Sequence, residues 1–357
     1  MKSILYIMNV DWDWIKQRPH FIAEGLSSSY DVDIVYAKRF NRKVLQNNST
    51  EGLNIVPIRQ VPFIGRFPKL RKINDCLYNS KIRRMNANKK YDILYITYPT
   101  QIEAVAKSYE GKIIYDCMDN HPAFIENEEA RKRLIDLEHK LMSRADCILT
   151  SSSDLINKLS ERYGAEFNDK ITVLRNGFNG KIESVKPGKK SGKAFKLAYI
   201  GTLSNWFNND FVERSLSDID NIEYVFIGPI SDYTQINNSR VEYKGVVQHN
   251  DLYKTIDDVD CLIMPFCVNE IVESVDPVKL YEYINYNKNI ITVYYDEIMR
   301  FEPYVHFYNT YDDYLRCIKT LINDNTIKYT DSDRLEFLKN NTWQNRIDLL
   351  NALIVEM

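Results

Sequence analysis

The segment Ser274-Val-Asp-Pro-Val-Lys-Leu-Tyr-Glu282 carries the residue types that an anion-binding helix start needs. Asp276 is spaced as an N-cap and Pro277 as the first helical residue, which leaves free amides and the positive end of the helix dipole facing outward. A diphosphate is favoured at such a place. Lys279 adds a formal positive charge in the first turn, beside Leu280. Glu282, one turn later, can accept two hydroxyl hydrogen bonds from a ribose. An ordinary capped helix with a surface Lys and Glu fits the same residues. Upstream, Gly201-Thr202 follows an apolar run, where a glycine lets backbone amides approach an anion and a hydroxyl can donate. Gly245-Val246-Val247 also follows an apolar run. Its backbone can pair with the edge of a nucleobase, or simply join a strand to a helix.

The first half holds two further clusters. Asn9-Val-Asp-Trp-Asp-Trp-Ile-Lys-Gln-Arg-Pro-His20 crowds Trp12, Trp14 and Arg18 into one loop. Such a loop suits stacking on sugar rings, whose faces are apolar and whose rims are hydroxylated, so these three residues are candidates for binding an acceptor. Packing of one Trp and a helix start at Arg18-Pro19 is the plainer account. Tyr115-Asp-Cys-Met-Asp-Asn-His-Pro122 ends an apolar run with two carboxylates and a His. Buried carboxylates need partners, so at least one faces solvent as a base, a hydroxyl acceptor or a cap. Asp119 and His121 are the catalytic candidates.

A basic segment, Pro62-Phe-Ile-Gly-Arg-Phe-Pro-Lys-Leu-Arg-Lys72, interleaves Arg66, Lys69, Arg71 and Lys72 with apolar residues. That pattern suits an anionic lipid surface, with aromatics in the interface and charges over the headgroups. A solvated helix face fits it equally.

The elements that must position these residues follow from periodicity. Short β-branched apolar runs alternate with longer helical patterns, the mark of parallel sheets buried on both faces. Strands are expected near 3–10, 32–37, 54–58, 92–97, 112–117, 147–150 and 171–174, then near 196–201, 222–228, 241–245, 261–266 and 289–294. Residues 181–194 are rich in Lys, Gly, Ser and Pro and nearly free of apolar side chains, as a linker is. The expected architecture is α/β, two Rossmann-like doubly wound domains facing across a cleft. They cover 1–185 and 194–340, and a closing helix at 341–357 packs back towards the first. Residues following strand ends are where such sheets bind ligands.

Composition narrows the function classes. A chain of 357 residues exceeds one compact core. Its 47 basic and 49 acidic residues lack the overall positive charge of a general nucleic-acid binder. The six cysteines include no CxxC pair, and no His spacing suits zinc, so no metal site and no cofactor are expected. No signal-peptide pattern opens the chain, and no run of about 18 apolar residues occurs. A cytoplasmic protein is expected, with peripheral contact on the inner face of the plasma membrane left open.

At these residues the chain resembles the GT-B glycosyltransferases of the family-four type, the group-one transferases of bacterial envelope polysaccharide assembly such as capsule and lipopolysaccharide. The resemblance rests on Trp14-Ile-Lys-Gln-Arg-Pro-His20, Tyr115-Asp-Cys-Met-Asp119, Tyr199-Ile-Gly-Thr202 and Asp276-Pro-Val-Lys-Leu-Tyr-Glu-Tyr283. It implies metal-independent, retaining transfer from a nucleotide-diphosphate sugar to a glycan or lipid-linked acceptor, with Glu282 on the donor ribose. Members typically carry a Glu eight positions before that one, where Ser274 stands here. The basic pair that many carry after the glycine of the second domain is replaced by Ser204-Asn-Trp-Phe-Asn-Asn-Asp210, which leaves Lys279 to take over the diphosphate charge. A nucleotide-sugar epimerase of the same fold and a non-catalytic transferase acting as a partner subunit or sugar sensor are the alternatives.

Overall fold

The computed structural model describes residues 1–38, 52–61, 68–182 and 194–357. The basic stretch 62–67, which includes Arg66, lies outside the described residues, as does most of the expected linker. The chain divides into two compact units, residues 1–176 with 343–357, and residues 177–342.

Unit 1 contains β1 (Ser3–Met8), α1 (Arg18–Ser27), β2 (Asp31–Lys38), β3 (Asn54–Arg59), α2 (Pro68–Lys89), β4 (Ile93–Ile96), β5 (Lys112–Cys117), α3 (Glu128–Arg144), β6 (Cys147–Thr150), α4 (Ser153–Tyr163) and β7 (Ile171–Val173). Its seven strands are all parallel, in the order β3-β2-β1-β4-β5-β6-β7. The central strands are apolar on both faces because helices cover both: Ile4 to Met8 of β1 are all fully buried. Local signals start the helices. Asn127 Oδ1 accepts from Ala130 N at 2.9 Å to cap α3, and Ser152 Oγ accepts from Leu155 N at 3.3 Å to cap α4.

Unit 2 contains β8 (Phe195–Ile200), α5 (Asn209–Asp218), β9 (Ile222–Ile227), β10 (Val241–Gly245), α6 (His249–Thr255), β11 (Cys261–Met264), α7 (Val278–Asn285), β12 (Asn289–Val293), β13 (His306–Tyr308), α8 (Tyr311–Asn323) and α9 (Asp331–Asn340). The order is β10-β9-β8-β11-β12-β13, again all parallel. In each sheet the strand order reverses beside the first strand, between β1 and β4 and between β8 and β11. That is where loops diverge and leave a crevice.

All twelve expected strands form, with ends shifted by at most two residues. The thirteenth, β13, has three residues and no apolar run to announce it. The last helix, α10 (Trp343–Glu356), is part of unit 1. Its buried stripe Trp343, Ile347, Leu350 and Ile354 packs on α1, and Phe21 stacks on Trp343 with ring centroids 4.9 Å apart. The division falls between Asn176 and Gly177, ahead of the polar stretch that suggested it.

Candidate binding and catalytic sites

In unit 2 the strand ends are built from glycines. Gly201 follows β8 with φ +146°, Gly228 follows β9 with φ +141°, and Gly245 ends β10 with φ +64°. They are tied edge to edge: Gly201 N donates to Ile227 O at 2.8 Å and Gly228 N to Gly245 O at 2.7 Å. A Cβ on Gly228 would run into the Gly201 carbonyl, so this close approach requires glycine. Lys279, second residue of α7, lies over the same spot. A Cβ on Gly201 would sit 2.9 Å from Lys279 Nζ and closer still to its Cε. Lys279 Nζ lies 5.8 Å from the Tyr199 ring, and no carboxylate among the described residues pairs with it. An ammonium over exposed strand-end backbone, at the switch point of the sheet, is arranged to receive an anion.

The other residues singled out in this half divide. Thr202 and Glu282 are half-exposed, and Val246 is 71% exposed, while Val247 packs partly on the core. Leu280 is fully buried, and its amide donates to Pro277 O at 3.1 Å, so its side chain and its N–H are both spent on structure rather than on a donor. The helix start also differs from the sequence expectation. Pro277 is the N-cap of α7, and Val278 is its first residue. Asp276 does not cap the helix. It is buried, ion-paired to Arg300 and hydrogen-bonded by the Tyr281 hydroxyl at 3.3 Å. Arg300 also donates to Tyr281 Oη at 3.0 Å and to Glu297 O at 2.7 Å, and Tyr295 Oη donates to Val275 O at 3.1 Å. This network, which no local pattern announces, fixes the loop carrying buried Ser274 and the start of α7.

In unit 1, two of the three residues expected on an acceptor surface are interior. Trp12 is 1% exposed and packs in the core with Ile22 and Trp343. Arg18 is 6% exposed. Its Nη2 reaches Asp116 Oδ1 at 2.7 Å, its Nε lies 3.1 Å from both carboxylate oxygens, and its Nη1 donates to Leu174 O at 2.6 Å. The Tyr95 hydroxyl donates to Asp116 Oδ2 at 3.0 Å. A buried carboxylate and a buried guanidinium have neutralised each other, and neither is left for a substrate. His20 reinforces the same loop. Its Nδ1 accepts from Gln17 N at 3.1 Å, its Nε2–H donates to Trp12 O at 3.2 Å, and burial pushes its pKa down to about 4. Trp14 remains half-exposed at the loop surface.

Asp119 and His121 lie beyond β5, as expected. Burial pushes the Asp119 carboxyl up to about 7; Arg18 opposes that shift and Asp116 adds to it. His121 is 5% exposed, and burial lowers its pKa. Its Nε2 has no hydrogen-bond partner among the described residues. Its ring packs edge-on against Tyr98, centroids 4.8 Å apart. The turn between the two is braced from behind: Arg162 Nη2 donates to Asn120 Oδ1 at 2.7 Å and Nη1 to buried Glu138 at 3.0 Å, while the Tyr115 and Tyr163 hydroxyls donate to Glu138 at 2.6 Å each. The two share one turn, His121 N donating to Asp119 O at 2.8 Å, and a carboxyl and an imidazole are side chains suited to proton transfer or to holding a hydroxyl.

Lys72 is exposed on α2, which also contains Lys69 and Arg71. Among the described residues no helix is long and apolar enough to cross a membrane, and no group of three or more His, Cys, Asp or Glu side chains is placed to hold a metal ion.

No family model matches the chain. It is 20% identical over 342 residues to TuaH of Bacillus subtilis, described as a teichuronic acid biosynthesis glycosyltransferase, covering 86% of this chain and 85% of that one. Among solved structures it resembles the sucrose-phosphate synthase of Thermosynechococcus elongatus, with TM-score 0.76 at 12% identity over 100% of this chain and 99% of that one. It also resembles Anabaena HepE, determined with UDP and glucose, with TM-score 0.68 at 12% identity over the whole of both chains. The fold is GT-B, two Rossmann-like units, as in those glycosyltransferases.

Proposed function

We propose that this protein is a glycosyltransferase. It moves a sugar, with retention and without a metal ion, from a nucleoside-diphosphate sugar on unit 2 to a glycan or lipid-linked acceptor in surface polysaccharide biosynthesis. The observation that carries the reading is Lys279 lying across Gly201, where the glycine-lined ends of β8, β9 and β10 meet the start of α7. A diphosphate there gains the Lys279 ammonium, which can also stabilise the departing nucleotide without a metal. Exposed Val246 after β10 offers an apolar edge for the base, and Glu282 on α7 a carboxylate for the ribose. The named relative and the UDP complex of HepE support a uridine nucleotide and a polysaccharide setting. An epimerase is less favoured, because His306 opens β13 at the amino end of the strand and pairs with Asn289 at 3.2 Å, away from the strand ends that would hold the sugar.

The test is direct. UDP-glucose and other nucleotide sugars are screened by thermal shift, since a ligand that binds only the folded state raises its melting temperature. Hydrolysis or transfer of the stabilising donor is then followed in excess chelator. Turnover that persists with chelator is the expected result; loss rescued by magnesium or manganese would remove the metal-free account. Binding without turnover would leave the sensor reading instead.

The exposed side of α2 supports a location at an anionic membrane surface: Lys72, Lys81 and Arg84 flank Ile73 and Leu77, which are 51% and 53% exposed. Each such cation near the surface contributes about 1 kcal/mol. Serine at Lys72, Lys81 and Arg84 together is expected to reduce sedimentation with phosphatidylglycerol vesicles at low salt by more than tenfold. Undiminished sedimentation would return this face to ordinary solvated surface.

A further inference from the structure

Unit 1 contains a cavity of about 850 Å³ at the amino ends of its strands, opposite to the ends where such sheets bind substrates. Asp92, just before β4, and Lys112, the first residue of β5, lie on its wall, with the last turns of α2 and the segment ahead of β5 around them. The six residues of β5, about 20 Å of strand, separate this place from the turn that carries Asp119 and His121. A ligand here touches neither of them, so the cavity is a second site and not part of those already described. Its size lies towards the upper end of the range for small-molecule sites.

The charge on the wall is unbalanced. Lys2, Arg83, Lys90 and Lys112 share it with Asp92 and Glu110. Two of these groups are spent: Lys112 Nζ pairs with Asp146 at 3.0 Å, and the Asp92 carboxylate accepts from Ser3 N at 2.7 Å and from Ser3 Oγ at 2.8 Å. Arg83 donates from Nη2 to the Glu103 carbonyl, and neither it nor Lys90 pairs with a carboxylate among the described residues. Lys90 also stands at φ +54°, in the left-handed region where glycine or asparagine is the easier residue at a helix end. A long cationic side chain in that place supplies the wall with charge that glycine or asparagine would not. Ile82 and Val105 make part of the wall apolar, and the Tyr109 hydroxyl is spent on the Tyr91 carbonyl at 3.1 Å. Two open cations beside an apolar wall match a dianion with a partly apolar body. A phosphate monoester carries about −1.5 to −2 at neutral pH, where a carboxylate carries a single charge.

We infer that the cavity at the amino ends of the unit 1 sheet binds a phosphate monoester through Arg83 and Lys90, either a soluble one or the headgroup of an anionic lipid. The inference is independent of the glycosyltransferase reading. The test is titration calorimetry on the full chain, with excess UDP present to occupy unit 2. The probes are glycerol 3-phosphate, glucose 6-phosphate, and dihexanoyl phosphatidic acid below its micellar concentration. At least one of them is expected to bind the parent protein. Arg83→Gln with Lys90→Asn removes both charges and places at 90 a residue that adopts a positive φ readily. Binding of the same probe is expected to fall at least tenfold, while UDP, titrated separately, binds as in the parent. If that variant does not fold, Ala87→Trp fills the cavity from an exposed position of α2 and is expected to give the same loss. Phosphatidic acid bound at least tenfold more tightly than glycerol 3-phosphate assigns the site to a lipid headgroup, and equal binding assigns it to soluble esters. No binding of any of the three to the parent, or parent-like binding in the folded variant, would overturn the proposal. Failure of UDP itself to bind bears on unit 2 alone and leaves this result to stand or fall on Arg83 and Lys90.

Discussion

Lys279→Ala is expected to weaken UDP binding about 10- to 100-fold while leaving the melting temperature within a degree or two of the parent. The ammonium sits over the Gly201 backbone and has no carboxylate to pair with among the described residues. Its charge is therefore available to a ligand at almost no cost in broken internal contacts. A charge-assisted hydrogen bond to phosphate in a partly dry site contributes about 1.5–3 kcal/mol, and each 1.4 kcal/mol is a factor of ten. The side chain is only half-buried, and surface changes of this kind alter stability by about 0.5 kcal/mol or less. Titration calorimetry with UDP measures the effect, and Glu282→Ala, tested alongside, is expected to show a smaller loss confined to ribose-bearing ligands. Parent-like affinity in Lys279→Ala would detach α7 from the donor and with it the observation on which the functional proposal stands.

Arg18→Met is expected to destabilise the protein by about 3–5 kcal/mol, because it removes a cation from around a carboxylate that cannot reach water. Asp116 is fully buried, and Arg18 supplies three of its close contacts, with Tyr95 the remaining one described. Losing Arg18 leaves an uncompensated charge beside Tyr95, and it also strips the Leu174 carbonyl of its 2.6 Å donor. The double variant Arg18→Met/Asp116→Leu should recover much of that loss, since it removes both charges together. Urea unfolding of the parent, the two single variants and the double variant measures the coupling directly. If Arg18→Met proved as stable as the parent, Arg18 would be free to serve a substrate after all, and its earlier assignment to the acceptor would have to be reopened.

Parts of the candidate site were legible before any coordinates. Lys279 was picked out because helix starts and strand ends follow local rules that act over a few residues, and the structure lays it over Gly201. Gly201 was found for the same reason. Gly228 was assigned only as the end of a strand, although a glycine there has the same signal as Gly201. Its requirement for glycine comes from the Gly201 carbonyl, which belongs to the neighbouring strand. Asp276 shows the limit of a local rule: the spacing fits an N-cap, yet Arg300, 24 residues away, and Tyr281 compete for the carboxylate and win. A charge-assisted contact in the interior outweighs one helix cap.

The sequence by itself determined the alternation of strands and helices, because apolar periodicity reflects which faces each segment must bury. It also determined the amphipathic closing helix and the positions where strand ends could meet a ligand. Tertiary structure alone decided which polar and aromatic residues remained available there. Trp12 and Trp14 are two residues apart in one loop, and one is core while the other is half-exposed. Arg18 finds its partner 98 residues away, and Asp276 is held by Arg300 from 24 residues away. Burial and pairing are set by contacts distant in sequence, whose geometry depends on strand order and helix packing, and a local pattern carries no record of either.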